Sequence, residues 1–151
     1  MEVLHRCCAG LDGHKKTVVA WVRRINAAGE VEQQVSTFGT RTVELLARAD
    51  WLAAQGVRQV ALESTGVDWK PVYHLLEGRF AVMLVNAQHI KQVPGRKTDV
   101  KDCRWIAQLL QHGPLRASFV PPRPIRQLRD LTRQRTQLIR HRATMANRLP
   151  K

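Results

Sequence analysis

The pattern of apolar residues divides the first two thirds of the chain into short strands and amphipathic helices. Runs rich in β-branched and other apolar residues, either alternating with polar ones or continuous, predict five strands. These strands are expected at residues 7–12, 17–22, 31–37, 59–63 and 81–86. Continuous apolar runs in the last two indicate strands that are buried on both faces of a sheet.

Helical spacing of apolar residues fills the segments between and after the later strands. A helix that Thr40 can cap and Gly56 ends follows the third strand, and further helices are predicted over residues 69–76 and 100–111. Three strands followed by helix, strand, helix, strand and helix is the element order of the ribonuclease H-like, or RuvC-like, α/β class. We therefore expect a mixed five-stranded sheet in the order 3-2-1-4-5, flanked by helices.

A group of prolines separates the last segment from the rest of the chain. Beyond Pro121, Pro122 and Pro124, the pattern predicts a helix of roughly 25 residues with apolar residues near heptad spacing, interrupted by Arg135 and Arg142. We expect residues 1–120 to form a catalytic domain. Residues 121–151 are expected to form a basic helical arm, the truncated start of a coiled-coil linker.

The charge of the chain points to a polyanionic partner. Its formal net charge is +13 and its isoelectric point is about 11.0, which favours DNA, RNA or an anionic membrane. Residues 123–151 contribute nine Lys and Arg against Asp130 alone. No apolar run approaches the ~18 residues of a membrane span, and the stretch before Cys7 has neither the length nor the cleavage pattern expected of a signal peptide. We therefore expect a cytoplasmic protein with no membrane partner.

Four acidic residues stand where a metal-dependent nuclease of this fold needs them. Asp12 ends the first predicted strand and Glu63 ends the fourth, and in this sheet those strands are parallel neighbours about 4.8 Å apart. Asp99 and Asp102 are three residues apart and so share one helix face. Oxygen-only ligands without a His or Cys cluster favour magnesium, with manganese as the alternative.

Each acid also has an ordinary structural explanation. Asp12 can start a turn, Glu63 can pair with a surface lysine, and Asp99 with Asp102 resembles a helix cap followed by a first-turn acid. Their joint occurrence at the four required positions favours the catalytic interpretation.

Three segments strongly resemble the DEDD transposases of bacterial insertion sequences, which are relatives of the Piv DNA invertases. The segments are CCAGLDGHKKTVVAWV from residue 7, ALESTGVDWKPVYHLL from residue 61 and VNAQHIKQVPGRKTDVKDCRWIAQLL from residue 85. Their most specific parts, GLD, ESTG and KTDVKD, place the four acids of the family on Asp12, Glu63, Asp99 and Asp102. The resemblance covers essentially the whole chain.

The resemblance implies a magnesium-dependent bacterial recombinase that works as a multimer and is guided by a structured bridge RNA. It also implies a second domain with a serine nucleophile. We expect that domain to be missing here, because Ser36, Ser64 and Ser118 do not match its context.

Basic residues form two groups that we expect to contact nucleic acid. Lys97, Lys101 and Arg104 flank the acidic pair and can hold phosphates, although they also suit a solvated face. The second group lies on the arm and comprises Arg126, Arg129, Arg133 and Arg140. The arm can bind DNA or guide RNA, or form a homo-oligomeric coiled coil with arginines outside, and both can hold together.

Histidine and tryptophan positions carry weaker signals. His14 follows Asp12 by two residues and can touch the site, although exposure in a turn is the favoured interpretation. The four tryptophans, at positions 21, 51, 69 and 105, are interpreted as packing residues rather than platforms for bases.

Three functions remain open on this basis. The first is the amino-terminal catalytic domain of a DNA transposase, which would cut and exchange strands. The second is a non-catalytic remnant that binds DNA or RNA through its basic arm. The third is a stand-alone nuclease that resolves Holliday junctions.

Overall fold

The computed structural model describes residues 2–64, 66–94 and 102–149. Within these residues the elements follow the order β1 (Cys7–Gly13), β2 (Thr17–Ile25), β3 (Val31–Gly39), α1 (Thr42–Ala54), β4 (Gln59–Glu63), α2 (Trp69–Leu76), β5 (Ala81–Val85), α3 (Ala87–Gln92), α4 (Asp102–His112) and α5 (Arg123–Arg148). The chain divides into two compact units, Met1–Ser118 and Phe119–Lys151. The roles assigned above to residues 1–120 and 121–151 stay predictions.

The described strands form one mixed sheet in the order β3-β2-β1-β4-β5, which confirms the predicted order. β1 pairs with β2, and β2 with β3, in antiparallel fashion, because only short turns join them. β1 pairs with β4, and β4 with β5, in parallel, since α1 and α2 carry the chain back between them. The parallel half of the sheet therefore brings the carboxyl ends of β1, β4 and β5 to the same edge.

Helix α4 covers one face of the sheet at unusually close range. It packs on β1, β2 and β4, and Trp105, Ile106, Leu109 and Leu110 bury against Cys8, Ala61 and Val85 of the strands. A Cβ atom added to Gly10 would lie 2.6 Å from the backbone nitrogen of Ala107 and would overlap the carbonyl oxygen of Cys103. Only glycine permits this contact, which sets how far α4 lies from β1.

The alternate strand residues point to the other face of the sheet. There Leu11, Val60 and Leu62 are fully buried. Helices α1 and α2 pack against each other, and α2 also contacts β4 and β5. Their inner residues are apolar with one exception: Arg48 of α1 has no solvent exposure. None of its guanidinium nitrogens has a hydrogen-bond partner among the described residues, and burial lowers its pKa to about 10.

The two edges of the sheet differ. Val85 of β5 bridges to Ala117, and the backbone N–H of Ser118 donates to the carbonyl oxygen of Leu84 over 2.7 Å, so a following segment covers this edge. In the described part of the chain, no strand pairs with the outer edge of β3. Val31 and Val35 of β3 are exposed.

The second unit consists largely of α5, a helix of 26 residues without a buried residue. Proline near its start suits a first turn whose N–H groups have no helical partner. Its exposed apolar residues are Ile125, Leu128, Leu131, Leu138, Ile139 and Met145. No helix in the described ranges is long and apolar enough to cross a membrane.

Local departures from the predicted elements have identifiable causes. Thr40 does not cap α1, since its hydroxyl donates to the carbonyl oxygen of Lys15 and Arg41 precedes the first helical residue instead. Helix α3 was not predicted; it begins after Asn86, whose side-chain oxygen accepts a hydrogen bond from the N–H of Gln88 at 2.8 Å. A single capping residue thus ends β5 and starts a short helix.

Candidate active site

Asp12 and Glu63 lie near the carboxyl ends of the neighbouring parallel strands β1 and β4. Leu11 of β1 pairs with Leu62 of β4 in parallel register, so the next residue on each strand continues that row. Strand alternation then turns both carboxylates to the face that α4 covers, on strands about 4.8 Å apart. The two strands are parallel neighbours, as predicted, whereas a shared role for the two acids stays a prediction.

Asp102 approaches the same point from the helix. It is the first described residue of α4, and the contact of α4 with Gly10 brings this helix end close to Asp12, two residues further along β1. The carboxylate of Asp102 is near enough to affect the ionisation of Asp12. A helix start also favours negative charge, because the partial positive charge of its free N–H groups lies there.

The pKa of Asp12 reports a crowded acidic environment. Its side chain is only 16% exposed, and this burial is the largest cause that raises the pKa above its usual value. The charge of Asp102 raises the pKa further, whereas His14 lowers it. The Nε2 atom of His14 lies 3.2 Å from Oδ2 of Asp12. His14 thus contacts Asp12, the alternative left open above, and its side chain is 65% exposed, as expected of a turn residue.

The donor set suits a hard divalent cation. Asp12, Glu63 and Asp102 offer carboxylate oxygens only, which are ligands that magnesium and manganese prefer. Two of these acids repel each other, and a bound cation would relieve that repulsion. Among the described residues, no three His, Cys, Asp or Glu side chains are grouped closely enough to hold a metal ion. Asp99 lies outside the described residues, so the four-acid cluster stays a prediction.

The predicted nucleic-acid contacts fall in three places. Lys97 and Lys101 lie outside the described residues. Arg104 is exposed in the first turn of α4, two residues after Asp102. The remaining arginines lie on α5 in the second unit, at positions 126, 129, 133 and 140.

Two further side chains near the site were not identified from the sequence. The ring of Trp21 lies under the guanidinium of Arg104, with 5.6 Å from the Arg104 Cζ to the ring centroid. Arg23 is nearly buried beside α4. Of the four tryptophans interpreted as packing residues, only Trp105 is buried, and Trp21, Trp51 and Trp69 are partly exposed. The sequence gives no direct signal for the Arg104–Trp21 stack or for the Arg23–Gln111 hydrogen bond. Both contacts depend on where α4 lies across β2.

Comparison with solved structures identifies the fold. The chain is similar to RuvC of T. thermophilus in complex with a Holliday junction substrate, with a TM-score of 0.52 and 14% identity over 76% of this chain and 100% of that chain. A second structure of Thermus thermophilus RuvC gives a TM-score of 0.51 with 14% identity, covering 74% and 99% of the two chains. The fold is therefore RuvC-like, as predicted. No curated protein matches the chain.

Comparison with family models identifies the relatives by sequence. The DEDD_Tnp_IS110 model, described as a transposase family, matches residues 9–151. The match begins in β1, ahead of Asp12, and extends through both compact units. The chain belongs to the DEDD_Tnp_IS110 family of transposases.

Proposed function

We propose that this chain is the carboxylate-bearing domain of a transposase that cuts and exchanges DNA strands with the help of divalent metal ions. The observation that carries the proposal is the packing of α4 against Gly10, which places Asp102 near enough to Asp12 for its charge to raise the Asp12 pKa, at the edge where β1 and β4 end. A structural explanation of these acids predicts no such convergence, because a turn acid and a helix-cap acid have no reason to meet.

Asp12, Glu63 and Asp102, together with Asp99, would hold magnesium or manganese. Ions bound there would supply charge for activating a nucleophile and for stabilising the leaving oxygen in phosphoryl transfer. The protein itself fixes the acids on rigid elements, since Asp12 is in a central strand and Asp102 begins a helix packed on that strand. Such fixed placement lowers the reorganisation needed during the reaction.

Metal binding tests this proposal directly. We expect calorimetric titration with MgCl2 to show binding to the wild-type chain and its loss in Asp12→Asn and Asp102→Asn. Asp50→Asn is the matched control, because it removes one exposed carboxylate, paired with Arg79 on the surface. Equal magnesium binding by all four proteins would remove the basis of the proposal and leave a non-catalytic binding protein.

Strand cleavage gives the second test. We propose that full exchange also requires a serine-bearing domain, so nicking of supercoiled plasmid in MgCl2 or MnCl2 is the activity expected of the carboxylates. A resolvase-like nuclease is the second candidate, since the fold matches a protein solved with a Holliday junction. Cleavage of a synthetic four-way junction, but not of plasmid, by this chain alone would favour that candidate.

We further propose that α5 contacts nucleic acid, DNA or a structured guide RNA, and pairs with a second copy of the chain. The proposal is supported by the surface of α5, which has no buried residue and carries both arginines and exposed apolar side chains. Leu131→Asp and Leu138→Asp should then lower the molecular mass measured by light scattering. Gln137→Asp, which adds the same charge on the same helix but away from the face of Leu131 and Leu138, should leave the mass unchanged.

A further inference from the structure

A row of three side chains continues the acidic site along the same face of the sheet. Trp21 and Arg23 of β2 pair with Gly10 and Cys8 of β1, so strand alternation places them on the α4 face with Asp12. Arg104 of α4 stacks over Trp21. The indole of Trp21 is itself fixed, because its Nε1 donates to Oε1 of Gln33 over 3.0 Å.

Arg23 is held beside this stacked pair without a carboxylate partner in the described part of the chain. It is only 8% exposed, and its Nε donates to Oε1 of Gln111 over 2.9 Å. Arg104 stacks over Trp21, which lies two residues before Arg23 on the same face of β2, so both guanidinium groups lie on the α4 face of that strand. Burial is the main cause that lowers the pKa of Arg23, and the positive charge of Arg104 also lowers it. A nearly buried arginine without an acidic partner is costly unless an anion approaches it.

We propose that Arg23 and Arg104, with Trp21 as the platform that positions Arg104, form a clamp for a phosphate of the DNA backbone. A planar guanidinium suits phosphate oxygens and also stacks on an aromatic face, which lysine does less well. Gln111 holds Arg23 by its Nε, so the terminal nitrogens of the guanidinium are left for another acceptor. The clamp binds the backbone and carries no base specificity.

The position of the clamp links it to the proposed chemistry. Trp21 lies across from Gly10, two residues before Asp12 on β1, a separation of about 7 Å along the strand. That distance is only about twice the axial rise of one nucleotide, so it is comparable with the spacing of neighbouring phosphates on one DNA strand. The clamp therefore holds a phosphate close to the one that the acids act upon. In this respect the inference rests on the proposed function.

Binding of labelled DNA in EDTA tests the clamp separately from the metal. The probe is a fluorescein-labelled synthetic four-way DNA junction, and the readout is fluorescence anisotropy between 50 and 200 mM KCl. Arg104→Ala should lose one phosphate contact. We therefore expect the negative slope of log association constant against log salt to become shallower by about 0.9, and binding at 0.1 M salt to weaken about eightfold. Arg24→Ala is the matched control, because it removes one arginine of β2 on the opposite face, paired with Glu32.

Two variants test the role of Trp21 as a positioning residue. Trp21→Leu should weaken binding in the same direction as Arg104→Ala, whereas Trp21→Phe keeps an aromatic face and should restore most of the affinity. Circular dichroism melting confirms that each variant is folded. A loss in Trp21→Leu that Trp21→Phe does not rescue would overturn the platform role.

The outcomes separate this inference from the proposed function. Equal losses in Arg104→Ala and Arg24→Ala would show general electrostatics and overturn the clamp, as would unchanged binding by Arg104→Ala. Unchanged magnesium binding by Asp12→Asn would instead overturn the proposed chemistry, while the anisotropy result in EDTA still decides the clamp. Arg104→Lys should keep the salt slope but bind more weakly than wild type, since lysine stacks less well on Trp21.

Discussion

Gly10 controls the distance between the two elements that carry the acids, and its substitution gives the sharpest test of the fold. In Gly10→Ala the new methyl group would lie 2.6 Å from the Ala107 backbone nitrogen and 3.1 Å from Cβ of Ile106, whereas ordinary contact begins at 3.4 Å. Helix α4 must therefore move by roughly 1 Å, a shift of the kind that overpacking forces on a core. Such overpacking costs about 1–3 kcal/mol, and the upper end applies because the clash is with backbone.

The matched control lies three residues further on the same strand. A Cβ added to Gly13 meets nothing within 4 Å, and Gly13 does not have a positive φ. Gly13→Ala should therefore leave stability unchanged or raise it by about 0.4–1 kcal/mol, because alanine restricts the unfolded chain. The free energies of unfolding of the two variants should differ by about 2–4 kcal/mol.

Urea unfolding followed by circular dichroism measures this difference. Magnesium titration of the same variants measures its consequence, since a displaced α4 moves Asp102 away from Asp12 and should weaken metal binding in Gly10→Ala. Equal urea midpoints and equal magnesium affinities for the two variants would refute both the close packing of α4 and its role in assembling the site.

Three further predictions concern buried groups. Arg48→Met should raise the free energy of unfolding by about 1–3 kcal/mol in urea, because it replaces a buried guanidinium without an acceptor by an apolar side chain; a less stable variant would contradict this. Burial raises the pKa of Cys8 from 9.0 to about 12, so its thiol ionises first in the unfolded chain. Stability should fall as pH rises between these values, less steeply in Cys8→Ala. Burial and the charge of Asp102 raise the pKa of Asp12, so the ionised carboxylate of Asp12 opposes folding at neutral pH. Asp12→Asn should therefore melt at a higher temperature than wild type in EDTA. Adding magnesium should not raise the melting temperature of Asp12→Asn.

The order of the sheet could be predicted because it depends on local patterns. Each strand is a short run of apolar residues, and short turns or helices between the runs leave few ways to pair them. The positions of Asp12 and Glu63 on neighbouring strands follow from the same reasoning, since each acid ends its predicted run and the two runs are parallel neighbours.

The contacts across α4 could not be predicted, because they depend on where a helix lies on the sheet. The need for glycine at position 10 appears only when the backbone of α4 is seen to approach within contact distance. The stacking of Arg104 on Trp21 depends on the same placement. Arg48 is a different case: it shares one face of α1 with Leu45, Ala49 and Leu52. Helical spacing marks it as buried, but its charge argues for exposure.

The unequal edges of the sheet limit how copies of this domain can associate through their backbones. Strand edges with free N–H and carbonyl groups recruit other strands, and a protein with two such edges can polymerise without end. Here the segment around Ala117 occupies the β5 side, whereas no described strand occupies the β3 side. Antiparallel pairing of two β3 strands would use up the free edge of both copies. Assembly by this route therefore closes at a two-fold symmetric pair instead of extending into a fibre.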